Sequence, residues 1–171
     1  RNLSVTFREG DARQFRLPGS YFHCVLILGN SFGYFESVED DLKVLESCRR
    51  VLMPGGKIVL DVTNGEWMRQ NFEPRSWEWI DQTHIVCRER SMAKDGQRLI
   101  SREVVTDVEK GIIIDQFYAE RLYTEEMIRD LLEKAGFEAI CTHGELQAES
   151  GRDQDLGMME KRLLLSLIHI S

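Results

Sequence analysis

The order of apolar runs and breaks in this chain predicts an α/β fold, a doubly wound sheet with an antiparallel meander inserted into it. Three observations predict it. Phe22 to Leu28 is continuously apolar, the pattern of a strand covered on both faces, as in a parallel sheet. A helical stripe, a Pro54-Gly55-Gly56 stop and a second apolar run, Lys57 to Val62, follow it, and that order is a βαβ unit with a right-handed crossover. Farther on, "KDG" and "EKG" separate three segments of strand character, which reads as hairpins in series.

Taken in order, Leu3, Val5 and Phe7 alternate with polar residues and stop at "EGDA", so residues 2 to 8 are expected to form a strand ending at Gly10-Asp11. After the second strand comes a turn, Gly29 to Phe35. Ser37 then caps a helix with Asp40 three residues on, and Leu42, Leu45, Cys48 and Leu52 form its inner stripe. Residues 65 to 82 are Trp-rich and expected to be irregular. The meander takes residues 83 to 90, 98 to 108 and 111 to 123. Thr124 caps a last helix whose Met127, Ile128, Leu131, Leu132 and Ala135 face inward; Gly136 ends it, "FEAICT" is a further strand, and residues 144 to 160 read as a loop.

Composition narrows the function. The 171 residues are 42% hydrophobic and 30% charged, which suits one domain with its own core. A net charge of -7, with scattered basic residues, argues against a nucleic-acid binder, because phosphate affinity comes from clustered Lys and Arg. The four cysteines lie far apart without C-x-x-C spacing, so reduced, buried thiols and no metal site are expected, in a cytoplasmic setting. No run approaches the roughly 20 apolar residues of a membrane span. The expected partner is a small molecule.

Ligands of doubly wound sheets bind outside the carboxyl ends of the strands. Three such ends are legible: Gly10-Asp11-Ala12, Gly29-Asn30-Ser31 and Asp61 to Asn64. At the first, Asp11 either accepts a hydrogen bond from a ligand or caps its turn. At the second, Gly29 either lets a ligand approach the backbone or is a turn residue. Asn30 offers both donor and acceptor, to a ligand or to local turn amides.

From "EGDARQFRLPGSYFHCVLILGNSFGYFESVEDDLKVLESCRRVLMPGGKIVLDV" and "RLYTEEMIRDLLEKAGFEA", the chain resembles class I S-adenosylmethionine-dependent methyltransferases, over nearly all of residues 2 to 145. The resemblance implies a Rossmann-like sheet of strand order 3-2-1-4-5-7-6 with S-adenosylmethionine as methyl donor. It implies that Asp11 and Ala12 meet the adenine, that the carbonyls of Leu28 and Gly29 meet the methionine ammonium, and that Ser31 and Tyr34 complete the cofactor site. "LGNSF" is similar to the glycine and sarcosine N-methyltransferases. That implies Asn30 beside the acceptor and an amino-acid-like amine as substrate, although Tyr34 stands where those enzymes carry His. Asn64, Trp67, Arg121 and Tyr123 are the further candidates for the substrate pocket, with Trp77 and Trp79 as faces for a cation. His84 and His143 receive no catalytic role. Methyl transfer needs chiefly alignment and exclusion of water, so no triad is required.

No G-x-G-x-G occurs among the thirteen glycines, and the acidic residue that binds the ribose in such enzymes is also without a match. The expectation is therefore a sheet incomplete at its N-terminal side, an N-terminally truncated domain over residues 1–164 with a lid-like insertion at 66–123, and an inactive fragment. "LSLIHIS" (165–171) resembles a translated transposase adapter and is expected to be a non-native tail; the other reading makes "KRLLLSLIHI" an ordinary strand. Two other functions remain, a nicotinamide-dependent oxidoreductase of related fold and a non-catalytic binding module.

Overall fold

A computed structural model describes residues 4–15, 17, 21–147 and 161–169. Eight strands and three helices follow one another: β1 (Phe22–Ile27), α1 (Val38–Val51), β2 (Leu52–Thr63), α2 (Gly65–Asn71), β3 (Arg75–Trp79), β4 (His84–Met92), β5 (Arg98–Asp107), β6 (Gly111–Arg121), α3 (Glu125–Lys134), β7 (Glu138–Gln147) and β8 (Lys161–Ile168). They build two sheets. The first has the order β1-β2-β8-β7, the second β3-β4-β5-β6.

In the first sheet β1 and β2 run parallel, which requires a crossover, here α1. Ser37 caps α1 by accepting from the Asp40 amide at 3.1 Å, and Glu39, Asp40 and Asp41 sit in its positive first turn. The inner stripe of α1 (Val44, Leu45, Cys48) and that of α3 (Ile128, Leu131, Leu132) share one core with Ile58, Leu60 and Val62 of β2 and Leu163, Leu165 and Leu167 of β8. Each fully buried leucine there contributes about 1.5–3 kcal/mol. Residues 52–56 join β2 directly after α1, so Pro54-Gly55-Gly56 lies within the strand span.

Of the strand expected at 2–8, the described residues 4–8 lie in no ladder and Phe7 is 91% exposed. A strand is held by a neighbour's hydrogen bonds, and in the 3-2-1-4-5-7-6 order two strands stand between this segment and β1. β1 pairs with β2 alone among the described residues and leaves Leu26 and Leu28 exposed, so its apolar run is not covered on both faces. Of the cysteines only Cys48 is buried; Cys24, Cys87 and Cys141 are exposed.

The second sheet contains the three expected strands as β4, β5 and β6, fully antiparallel, and a fourth, β3. β3 and α2 occupy the segment expected to be irregular. Asn64 caps α2 by accepting from the Trp67 amide. Lys161–Ile168 form a strand, β8, antiparallel between β2 and β7. Residues 144–147 extend β7, whereas 148–160 lie outside the described residues. No helix among the described residues is long and apolar enough to cross a membrane.

The two sheets meet at the end of β6. Gly65 donates to the Tyr123 carbonyl at 2.9 Å, and a Cβ on Gly65 would stand 2.4 Å from the Leu122 backbone. The Arg121 amide donates to the Gly33 carbonyl at 2.8 Å. The meander is thus fastened beside the carboxyl ends of β1 and β2.

Candidate active site

After β1 the backbone turns through Gly29 (φ 68°) and Asn30 (φ 56°). Two successive left-handed residues suit a glycine and an asparagine, since other side chains resist that region. The turn is held from β2. The Gly29 amide donates to Asp61 Oδ2 at 3.0 Å, and the Thr63 amide donates to Asn30 Oδ1 at 2.7 Å. Asp61 in turn is paired with Arg162 of β8. Leu28 and Ser31 bond each other, the Ser31 hydroxyl donating to the Leu28 carbonyl at 2.9 Å.

Asn30 is 3% exposed, and its amide nitrogen donates to Glu120 Oε1 at 2.8 Å and to the Tyr34 hydroxyl oxygen at 3.3 Å. The Tyr34 hydroxyl donates to Glu120 Oε2 at 3.3 Å, and the Thr63 side chain also bonds Glu120. Burial pushes the Glu120 carboxyl up to about 8, against those three hydrogen bonds, which favour the charged form. Burial, with the neighbouring Glu120 charge, likewise raises the Tyr34 hydroxyl. The arrangement is a hydrogen-bonded cluster from three elements at the carboxyl ends of the strands, with Tyr34, 41% exposed, as its outer member.

Asp11 sits elsewhere on the surface. Its carboxylate takes the Arg13 amide at 2.9 Å and the Arg13 guanidinium at 2.7 Å, which lowers it to about 2. Arg13 also lies 4.6 Å over the Phe35 ring and pairs with Asp40. Asp11 borders a cleft of about 540 Å³ with Gly10, Gln14 and Phe15, and Ala12 packs at the margin of the core.

The remaining candidates disperse. Arg121 and Tyr123 turn to Asp41, at 3.3 and 2.7 Å, and all three are buried. Trp67 packs beside Met68, Leu99 and Leu122. Trp77 and Trp79 stand on the exposed face of β3. His84 is held by Asp81 and Asp107, His143 by Ser166. Gly29, Asn30 and Tyr34 are therefore the predicted residues that the fold draws into one cluster, with Leu28 and Ser31 alongside. Glu120 was missed, and Asp61 was read only as the start of a strand end. Asp61 had a signal, as the one acid in "KIVLDV"; Glu120 had only its place beside the chosen Arg121.

The Rossmann-like half-sheet with its polar turn at the β1 end has the fold of solved S-adenosylmethionine-dependent methyltransferases. A family model described as "Methyltransferase domain" matches residues 1–60, and no curated protein matches. Among solved structures, a S-adenosylmethionine-dependent methyltransferase from Clostridium acetobutylicum is similar at TM-score 0.71 and 14% identity, over 95% of this chain and 63% of that one. The CcbJ methyltransferase from Streptomyces caelestis gives 0.69 and 14%, over 95% and 62%. CalS10, an amino pentose methyltransferase from Micromonospora echinaspora, gives 0.58 and 20%, over 94% and 63%. The chain thus spans 62–63% of the length of these structures.

Proposed function

We propose that this chain is part of a S-adenosylmethionine-dependent methyltransferase acting on a small molecule that bears an amine. The supporting observation is the Gly29-Asn30 turn. Its left-handed backbone is fixed from β2 by Asp61 and Thr63, with Gly29 left open and Asn30 buried behind it, at the place where doubly wound sheets bind ligands. CalS10, described as an amino pentose methyltransferase, is consistent with an amine acceptor.

The residues fit the donor in part. Asp11 and Ala12 would meet its adenine, and the backbone at Leu28 and Gly29, with Ser31 and Tyr34, its amino-acid end. Asp11 keeps its low pKa, so it stays an acceptor at neutral pH. When bound, S-adenosylmethionine supplies an electrophilic methyl group; the chain's part is to orient the acceptor and exclude water. On the acceptor side, Asn30 acts through the cluster that it holds, its own amide being engaged.

Photo-crosslinking with labelled S-adenosylmethionine, followed by peptide mapping, tests the reading. Label is expected in the peptides holding residues 10–12 and 28–34; label confined to other peptides would overturn it. Because the 171 residues hold no G-x-G-x-G, calorimetry should show binding weaker than micromolar and no methyl transfer by this chain alone. Micromolar affinity would refute that part.

A further inference from the structure

Four carboxylates are buried among the described residues: Asp41, Asp61, Asp107 and Glu120. Asp41 has Arg121, Asp61 has Arg162, and Asp107 has Lys110 and His84. Glu120, 2% exposed, has among the described residues Asn30, Tyr34 and Thr63, and none of these carries a positive charge. A buried acid without a counter-charge is costly, and here it stands at the ligand end of the sheet, behind the exposed Tyr34.

We propose that Glu120, acting through the Tyr34 hydroxyl, is the counter-ion and proton acceptor for the amine of the acceptor substrate. The inference rests on the methyl-transfer reading for its purpose and names the acceptor class of that site. The proton route is short. An ammonium N–H donates to the Tyr34 oxygen, whose own proton already points at Glu120 Oε2. When the ammonium proton passes to Tyr34, the Tyr34 proton passes to the carboxylate. The nitrogen keeps its electron pair and becomes a neutral nucleophile, and Glu120 becomes a neutral acid, so charge and protons balance.

The surroundings allow this. Tyr118 stands on the same strand and Leu99 opposite across the β5 ladder; from the turn come Asn30 and Tyr34, and from β2 comes Thr63. The titrating neighbours are the two phenols, both raised by burial, so neither competes for the proton at neutral pH. A Glu120 carboxyl raised to about 8 is mostly protonated at neutral pH while the site is empty; an arriving ammonium draws it to the carboxylate, its proton leaving to solvent, and carboxylate and ammonium then share one proton. Glu120 is a positioning residue in this scheme, because Tyr34 is the group that meets the substrate.

Carbon-13 NMR of the chain labelled at the glutamate carboxyls tests the proposal with methylammonium chloride as probe and methanol as uncharged control. Glu120→Gln identifies the Glu120 signal by its loss. That signal is expected to titrate well above the others and to fall by about one unit with methylammonium but not with methanol, as an adjacent cation requires. In Tyr34→Phe, which leaves the carboxyl in place and serves if Glu120→Gln does not fold, the methylammonium response should disappear. A Glu120 signal that titrates with the exposed glutamates, or that ignores methylammonium, overturns the proposal. The crosslinking result is independent: failure there with an intact methylammonium response removes the methyl-transfer reading but keeps the cation site, and the reverse removes the site alone.

Discussion

Asp41 is fully buried on α1, and one of its oxygens, Oδ1, has no partner among the described residues; the other holds Arg121 and Tyr123. Breaking such a pair leaves an uncompensated charge, so Arg121→Met should cost about 3–5 kcal/mol in urea unfolding. A substrate-contacting Arg121 would instead leave stability nearly unchanged and weaken ligand binding, so this measurement decides between the two roles. At Glu120 the sign runs against the usual carboxylate. Its folded value is raised from 4.5 to about 8, so the folded state holds a proton that the unfolded state gives up. The contribution is fully present below 4.5 and is lost as pH rises through 8. Unfolding measured from pH 4 to 9 should show that decline, and Glu120→Gln should flatten it; an unchanged slope in the variant would show that Glu120 titrates normally. The sequence made Asn30 legible because a polar trio interrupts an apolar run. Glu120 was not legible, because in "FYAERLY" a shift of one residue exchanges the two faces of the strand. Glu120 lies on one side and Arg121 and Tyr123 on the other, and only the packing of β6 against the β1 turn says which side meets the site.

Among the elements, the end of β6 governs most. Within four residues it bonds the β1 turn through Glu120, α1 through Arg121, Arg69 of α2 through the Leu122 carbonyl, and Gly65 through Tyr123. Gly65 is there because of space: a methyl group would fall 2.4–2.7 Å from the Leu122–Tyr123 backbone. Gly65→Ala should therefore push α2 off β6 and lower stability by about 1–3 kcal/mol, the range for overpacking, as read from the urea midpoint. Gly10→Ala is the control, because its Cβ would meet nothing within 4 Å. Equal losses in the two variants would mean that the close approach does not matter. The helices were legible from their caps, Ser37 and Thr124, because capping is a local interaction. β3 and α2 were not. Their Trp-rich sequence lacks a clean period, and α2 starts through the amides of Asn64 and Gly65 donating to Lys161 and Tyr123, both far along the chain.

At the scale of the whole molecule, the strand order decides what the core is. The βαβ unit places β1 beside β2 by local rules, but β8 enters between β2 and β7 from the far end of the chain, a pairing that no local pattern announces. Leu163, Leu165 and Leu167 alternate inward and close the core beneath α1 and α3. Leu165 pairs in register with Leu60 and Thr142 and has no exposed surface. Removing its branched end leaves a cavity between two strands that cannot move closer without breaking their ladders. Leu165→Ala should therefore cost about 2–5 kcal/mol. Ser166→Ala, one residue on and facing the other way to His143, should cost no more than about 1.5 kcal/mol, the net worth of one hydrogen bond. Both losses are read from urea unfolding followed by circular dichroism. If Leu165→Ala lost no more than Ser166→Ala, β8 would not be a core strand, and the order β1-β2-β8-β7 that carries the candidate site would have to be redrawn.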